Sequence, residues 1–293
     1  MSKIILVTGT STGLGISIAI QAAQAGHTVY ATMRNLEKRG SLDAAATAAG
    51  VSLKVLPLDV SDSASVNAAV AEIIANEGRI DVLVNNAGAG FVRTVEQATE
   101  AEIQGVMDVN FTGVARCIKA VMPHMREARS GHIVTISSVG GLVGQPFNEI
   151  YCAAKFAVEG MMEAMASYIT PNFGINFTLV EPGGIATEFV NNVMAHVVGT
   201  GGILDDEYKP ILQAYIGGSQ ARSGEGEGGG RGGQSAYQTA DEVAEVVIGT
   251  IQTETPPLRT RTSDWSETLC HLKTALDPDG HKLSAQVTRQ FLG

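Results

Sequence analysis

An α/β fold is what the sequence predicts: a single-domain, doubly wound parallel sheet of about seven strands with helices on both faces. Three observations carry this. Short apolar runs alternate with longer stretches of helical periodicity, the pattern of βαβ units. The apolar runs are nearly continuous, as expected when helices cover both faces of a sheet. A glycine-rich turn, Thr8-Gly9-Thr10-Ser11-Thr12-Gly13-Leu14-Gly15, lies directly between the first run and the first helix. The 293 residues are 44% hydrophobic and 17% charged, enough to bury one full core over residues 1–293.

Taken in order, the strand-like runs are Lys3–Thr8, Thr28–Met33, Leu53–Leu58, Val82–Asn85, His132–Ser137 and Ile175–Glu181. Helical stretches fall between them at Leu14–Ala25, closed by Gly26, and at Ser63–Glu77, closed by Gly78. One long helix is expected over Glu100–Met125 and another over Ile150–Ile169. Asp62, Ser61 and Thr99 have the side chains that cap helix N-termini. The alternation stops after Pro182. Glycine is dense from Gly199 to Gly233, with a low-complexity run in 218–233. That segment reads either as a disordered insertion or as a lid over a substrate, and both readings stay open. Residues 184–238 are therefore set apart as a substrate-loop insertion. Helical patterning resumes at Asp241–Ile251. The last part, 255–293, is expected to hold an edge strand at Leu258–Thr262 and an apolar tail, Val287–Leu292, that packs back.

Composition excludes several functions. A net charge of −10 and a pI near 5.1 disfavour nucleic acid or an anionic membrane as partner. No run of apolar residues reaches membrane-spanning length, and Lys3–Val7 leads straight into the glycine turn without a targeting pattern. Cys117, Cys152 and Cys270 are scattered, with no CxxC, which reads as reduced thiols in a cytoplasmic protein. The six histidines show no ligand spacing, so no metal site is expected.

Tyr151 and Lys155 lie four residues apart, one above the other on a helix face. Such a lysine is expected to favour the phenolate and lower the pKa of Tyr151. Ser138, thirteen positions before Tyr151 at the end of the preceding strand, can hold a carbonyl oxygen. The three together can act as a general acid/base for reducing a carbonyl or oxidising an alcohol. The glycine turn adds a dinucleotide site. Gly9, Gly13 and Gly15 let a pyrophosphate approach the N-terminus of the first helix, where N–H groups and the dipole favour anions. Beside the adenosine ribose, after the second strand, the chain reads Ala31-Thr32-Met33-Arg34-Asn35, with no acid before Glu37. A missing carboxylate and a placed cation favour NADP(H) over NAD(H), with Arg34 on the 2′-phosphate and Thr32 or Asn35 assisting. Lys38 and Arg39 add positive potential.

With these residues in one chain, the sequence resembles the short-chain dehydrogenase/reductase family over nearly its whole length. Further stretches agree: Asn85-Asn86-Ala87-Gly88, Asp59-Val60, Asn110 in Asp-Val-Asn, and Pro182-Gly183. Within the family it is most similar to the 17β-hydroxysteroid dehydrogenase type 1 group. The matching stretches are Val29–Arg34, Ser138–Gly144, Pro146–Asn148 and the segment around Tyr151, Lys155 and Glu159. The resemblance implies a single Rossmann-like domain. It implies that Ser138, chosen over Ser137 by its spacing, binds the carbonyl oxygen, that Tyr151 gives its proton, and that Lys155 binds the nicotinamide ribose. It places Asn110 at a helix interruption whose carbonyl holds a proton-relay water. It puts Ser11, Thr12, Leu14, Asp59, Val60 and Asn86-Ala87-Gly88 along the adenosine half, and Pro182, Gly183 and Thr187 at the nicotinamide end.

Two departures stand out. Gly184 replaces a bulkier residue, which is expected to loosen the substrate loop, and Thr12 replaces a basic residue, leaving the 2′-phosphate to Arg34. Residues 140–147, Phe189, Val190, Val193, Met194 and Tyr215 are candidates for an apolar substrate wall, with Glu149, His196 and His271 for a polar end. The expected function is an NADP(H)-dependent carbonyl reductase or alcohol dehydrogenase on a small-molecule ketone or secondary alcohol, working as a homodimer or homotetramer. The alternatives are an NADP(H)-binding regulator without turnover, and an NAD-dependent epimerase or dehydratase. The intact Ser138/Tyr151/Lys155 set argues against the first and the missing ribose carboxylate against the second.

Overall fold

The computed structural model describes residues 2–186, 202–223 and 237–292. Seven strands are β1 (Ile4–Thr8), β2 (Thr28–Met33), β3 (Lys54–Pro57), β4 (Val82–Asn85), β5 (Gly131–Ile136), β6 (Ile175–Glu181) and, last in the chain, β9 (Arg259–Arg261). They form one parallel sheet in the order β3-β2-β1-β4-β5-β6-β9. The expected doubly wound sheet is therefore what forms. The winding reverses between β1 and β4, and in such sheets ligands bind outside the carboxyl ends of the strands at that point.

Both faces of the sheet are buried, which is why the strands read as continuous apolar runs. On one face Ile5, Val7, Val82, Val84 and Val134 pack against α1 (Leu14–Gln24), α2 (Gly40–Ala49) and the helix Ala240–Gln252. On the other, Leu6, Leu83, Ile133 and Leu179 pack against α3 (Ser63–Glu77), α5 (Gly113–Ala128) and α6 (Glu149–Phe173). Each fully buried Ile, Val or Leu contributes roughly 1.5–3 kcal/mol.

Several elements differ from expectation, each for a visible reason. The long helix expected over Glu100–Met125 is divided: α4 (Glu100–Met107) ends in a π-helical turn at Asp108–Thr112 before α5 begins. The side chain of Asn110 inside that turn takes up loop and helix backbone groups, and such bulges are frequent at functional sites. Of the caps, Thr99 makes a full capping box with Glu102, and Asp62 rather than Ser61 caps α3. A 3₁₀ turn at Leu36–Arg39 and α2 follow β2; α2 buries only Leu42, so it has no apolar stripe to read.

Helix α6 runs past Ile169 and through Pro171 to Phe173. A proline removes the bond to the carbonyl four residues back, here that of Ser167. Thr288, on the C-terminal helix His281–Leu292, donates its hydroxyl to that carbonyl. The tail thus packs against α6 as a helix, preceded by another at Asp264–Thr274. No helix among the described residues is long and apolar enough to cross a membrane. All three cysteines are buried free thiols.

His132 in β5 gives a stability prediction. Its Nε2 lies 2.8 Å from the Thr178 hydroxyl, which donates its own proton to the Pro257 carbonyl at 2.8 Å, so Nε2 is the donor. Burial holds the imidazole neutral, its pKa lowered to about 3. The unfolded chain, with an ordinary histidine, binds one more proton between that value and pH ~6.5, so stability falls as pH drops through this window, by on the order of 5 kcal/mol in all. A His132→Gln variant should show a shallower loss of thermal midpoint between about pH 6.5 and 4, and an unchanged slope would remove His132 as a cause.

Candidate active site

The glycine turn is a close three-way contact. Gly9 has φ 72°, and a Cβ there would lie 2.8 Å from the Ala87 Cα. A Cβ on Gly15 would lie 2.2 Å from the Gly9 carbonyl oxygen and 2.6 Å from Asn86 Nδ2. That amide donates to the carbonyls of Thr8 and Gly9, each at 2.9 Å. The N–H groups of Asn86 and Ala87 in turn donate to the Thr8 hydroxyl, both at 3.0 Å. Asn86-Ala87 therefore clamps the turn in place. Gly13 is the N-cap of α1 and no side chain caps the helix; Ile16 N–H turns back to the Gly13 carbonyl at 3.0 Å, so of the first turn it is the Leu14 and Gly15 N–H groups that are left for a ligand. Leu14 and Gly15 are buried, Ser11 is half-buried and Thr12 is exposed. These backbone groups and the absence of any Cβ leave the cradle that a pyrophosphate needs.

At the end of β2 the structure narrows the expected set. Arg34 is exposed and makes no ion pair among the described residues. Thr32, expected to assist it, is fully buried, and its hydroxyl donates to the Val7 carbonyl at 2.9 Å. Asn35 is occupied in capping the 3₁₀ turn, accepting from Glu37 N at 2.9 Å. Arg39 is paired with Asp43 at 2.7 Å, which offsets its positive potential. Thr32 and Asn35 are thus spent on the fold, and Arg34, with the exposed Lys38, is what remains. Asp59 is half-buried and accepts from Ser61 N at 2.9 Å; Val60 is buried beside Gly113.

At the carboxyl end of β5, Ser138 is extended and buried, and its Oγ accepts from Gly140 N at 2.9 Å. That leaves the hydroxyl proton for Tyr151, whose phenol it hydrogen-bonds. Tyr151 stands in the first turn of α6. Lys155, one turn on, is buried, and its Nζ donates to the Ile136 carbonyl at 2.8 Å and lies 5.7 Å from the centre of the Tyr151 ring. The structure joins the three residues as expected but corrects their electrostatics. Burial pushes the Tyr151 phenol up to about 12, and the opposing pull comes from the Ser138 hydrogen bond. The lysine was expected to lower it. Instead burial lowers Lys155 itself to about 8, with the Glu159 charge resisting. Desolvation is the largest influence on both groups.

Asn110 is completely buried. Its Nδ2 donates to the carbonyls of Ala89 at 2.8 Å and Val106 at 3.1 Å, and its Oδ1 accepts from Ala89 N at 3.1 Å. It staples the 86–89 loop to the π turn. A Cβ on Gly88 would be 3.0 Å from Asn110 Oδ1 and 4.0 Å from Lys155 Nζ, so these residues do converge.

Pro182 is buried, and its carbonyl accepts from Val139 N at 2.9 Å, tying the end of β6 to the Ser138 turn; Gly183 follows it half-buried. Gly184 is not a loosened position. In β7 (Gly184–Ile185) it pairs with β8 (Tyr237–Gln238), and a Cβ there would strike the Tyr237 ring at 2.9 Å. Only glycine lets that ring cover the strand. Thr187, Phe189, Val190, Val193, Met194 and His196 lie outside the described residues, as does most of 218–233.

The substrate side holds features the sequence did not reveal. Helix Lys209–Ser223 occupies part of the glycine-dense region, with Pro210 in its first turn as a missed start signal. Tyr215 on this helix accepts from Asn148 Nδ2 at 3.0 Å, and its ring lies 6.0 Å from that of Phe147. Phe147 is buried at φ 62°, a strained conformation for an aromatic residue, four positions before Tyr151. Tyr208 donates to Glu96 at 2.6 Å and Gln97 to Asp206 at 2.7 Å, fastening the arm 202–217 to the loop after β4. Glu149 and His271 are exposed.

Comparison with known proteins agrees with this geometry. The short chain dehydrogenase family matches over residues 3–197. The chain is 39% identical to retinol dehydrogenase 8 of Bos taurus over 95% of its own length and 86% of that protein's. It is 35% identical to 17-beta-hydroxysteroid dehydrogenase type 1 of Homo sapiens, over 99% of this chain and 86% of the other. Among solved structures, an actinorhodin polyketide ketoreductase determined with NADPH superposes with a TM-score of 0.70 at 29% identity, covering 85% of this chain and 89% of that one. The chain belongs to the short-chain dehydrogenase/reductase family, near the 17β-hydroxysteroid dehydrogenase type 1 group, and is an oxidoreductase acting on CH–OH groups.

Proposed function

We propose that this protein is an NADP(H)-dependent carbonyl reductase or alcohol dehydrogenase, interconverting a ketone and a secondary alcohol. The observation that carries the reading is the contact of the Ser138 hydroxyl with the Tyr151 phenol, with Lys155 one helical turn away. A bound nicotinamide supplies or accepts the hydride. Everything else falls to the chain. The glycine turn and the α1 N-terminus hold the pyrophosphate, and Asp59, Val60 and Asn86-Ala87-Gly88 flank the adenosine. Lys155, Pro182, Gly183 and Thr187 meet the nicotinamide half.

A ketone oxygen placed between Ser138 Oγ and Tyr151 Oη accepts from both. The phenol, held protonated near neutral pH by its raised pKa, gives its proton to that oxygen as negative charge develops there. The phenolate left behind regains a proton from the Lys155 ammonium, which is itself reprotonated from solvent along the side of Asn110 and the π turn. Residues 184–238 serve as the substrate arm, from which Tyr215 meets Phe147 to form an apolar wall suited to a bulky ketone, steroid-like molecules included. The C-terminal part, 255–293, closes the sheet edge. Retinol and steroid dehydrogenases among the relatives, and a ketoreductase among the neighbours, support an alcohol or ketone substrate. Two or four copies are expected to pair through α5 and α6, where Phe156 and Tyr168 stand exposed.

Cofactor choice rests on Arg34. In the variant Arg34→Ala, NADPH affinity followed by nicotinamide fluorescence should weaken about tenfold, as for one exposed charge-assisted contact, while NADH affinity stays nearly constant. Equal weakening of both would remove the 2′-phosphate role.

A further inference from the structure

Directly behind the reaction centre lies a buried cluster of charge that the chemistry above does not use. Glu181 ends β6 and is completely buried; Glu159 on α6 is 4% exposed. Arg259 on β9 reaches both, its Nε 3.2 Å from Glu159 Oε2 and 3.5 Å from Glu181 Oε1. Arg261 pairs with Glu181 at 3.2 Å. Each arginine also meets a more exposed acid, Arg259 with Glu163 at 2.5 Å and Arg261 with Glu267 at 2.6 Å. Four carboxylates thus share two guanidiniums. Glu159 Oε1, the neighbouring Ser137 Oγ and Glu181 Oε1, for which Arg259 at 3.5 Å is a charge contact only, are buried without a fully formed hydrogen bond. Ser137 Oγ and Glu159 Oε1 lie together, since a Cβ on Gly141 would be 2.8 Å from the first and 3.1 Å from the second, and Arg259 Nε bridges Glu159 to Glu181.

Two buried anions sharing one guanidinium, their outer oxygens short of good hydrogen bonds, are unfavourable, and one proton between them satisfies both. We propose that Glu159 and Glu181 share a single proton and together act as a positioning pair for Ser138 and Lys155. The connections are short. Val180 and Pro182, on either side of Glu181, accept from Ser137 N at 2.7 Å and Val139 N at 2.9 Å, so the residues flanking Ser138 hang from those flanking Glu181. Glu159 lies one turn beyond Lys155, and its charge supports the ammonium that burial opposes. A pair holding one proton keeps a single negative charge near Lys155. Losing that proton sets two anions against each other across the β6–α6 contact.

Burial and the Glu159 charge push Glu181 up to about 8, against the pull of Arg261 and Arg259. Glu159 is also raised by burial, with Ser137, Arg259 and Glu181 opposing. The groups facing the pair are Lys155 and, through Arg259, Glu163 from α6, Ser137 just after β5, Arg259 and Arg261 from β9, and Glu267 and the buried Cys270 thiol from Asp264–Thr274. Because Lys155 titrates in the same range, the pH dependence of turnover alone does not isolate the pair.

Infrared difference spectroscopy on the full chain does. The folded wild-type protein should show a protonated-carboxyl stretch at neutral pH that moves in D₂O and is lost only at alkaline pH. It should vanish in both Glu159→Gln and Glu181→Gln, because either change leaves the other group a carboxylate. No such band at pH ~7, well above ordinary carboxylate values, or a band surviving in both variants, overturns the shared proton whether or not any ketone is turned over. The positioning role rests on the reading of Ser138 and Lys155 above and is tested by turnover. Glu181→Ala should lower kcat at least about tenfold with the NADPH KM unchanged, and Glu181→Gln should recover most of that loss. Wild-type kcat in Glu181→Ala overturns it. Should that variant not fold, Glu159→Ala with Glu159→Gln as its rescue carries the same comparison.

Discussion

Replacing Tyr151 with phenylalanine should lower ketone reduction by about 10²–10⁴-fold, the usual contribution of a positioned general acid, with NADPH binding unchanged. The ring of Tyr151 stays in place in this variant, since only the hydroxyl that meets Ser138 is removed. No neighbour substitutes: Lys155 Nζ is turned to the Ile136 carbonyl, and Ser138 is a far weaker acid. The raised Tyr151 pKa fixes the direction of the pH dependence. Near neutral pH the phenol is protonated and ready to give its proton, so reduction is favoured there. Alcohol oxidation needs the phenolate and should accelerate as pH rises. Reduction should decline above about pH 8, where buried Lys155 loses its charge. Retained turnover in Tyr151→Phe would remove this residue as the acid.

The second large effect is at the glycine turn. Gly15→Ala should lower NADPH affinity by at least about 100-fold, equivalent to roughly 3 kcal/mol. The new methyl would lie 2.2 Å from the Gly9 carbonyl oxygen, backbone that cannot yield without opening the turn. It would also meet Asn86 Nδ2 and break the two bonds by which that amide holds Thr8 and Gly9. Overpacking of this kind costs about 1–3 kcal/mol, and the two lost hydrogen bonds add to it. Titration of the variant with NADPH and its thermal midpoint measure both parts. Wild-type affinity and stability together would show that the contact is not there.

What could be read from the chain and what could not divide along physical lines. Strands buried on both faces declare themselves as continuous apolar runs, so β1, β2, β4 and β6 were found within a residue or two of their ends. The glycine turn, Ser138, Tyr151 and Lys155 were visible because their spacing is local to one turn or one helix. Features that depend on distant partners were not. Gly184 read as a loosening until Tyr237, far along the chain, was seen covering it. Thr32 read as a phosphate ligand although its hydroxyl is taken by Val7 on the neighbouring strand. The upward shift of Tyr151 follows from burial, a property of the folded site and not of the four-residue spacing to Lys155. The arm 202–217 was hidden by glycine density, and its contacts with Glu96, Gln97 and Asn148 join segments far apart in sequence.

Loss of reduced-nicotinamide absorbance is the most direct test of the central claim. Purified protein is mixed with NADPH or NADH and a panel of steroid, aryl and aliphatic ketones, with Tyr151→Phe alongside. The expected result is ketone-dependent oxidation of NADPH, slower with NADH and abolished in the variant. NADPH binding with no turnover of any ketone, or equal turnover in wild type and variant, would contradict it.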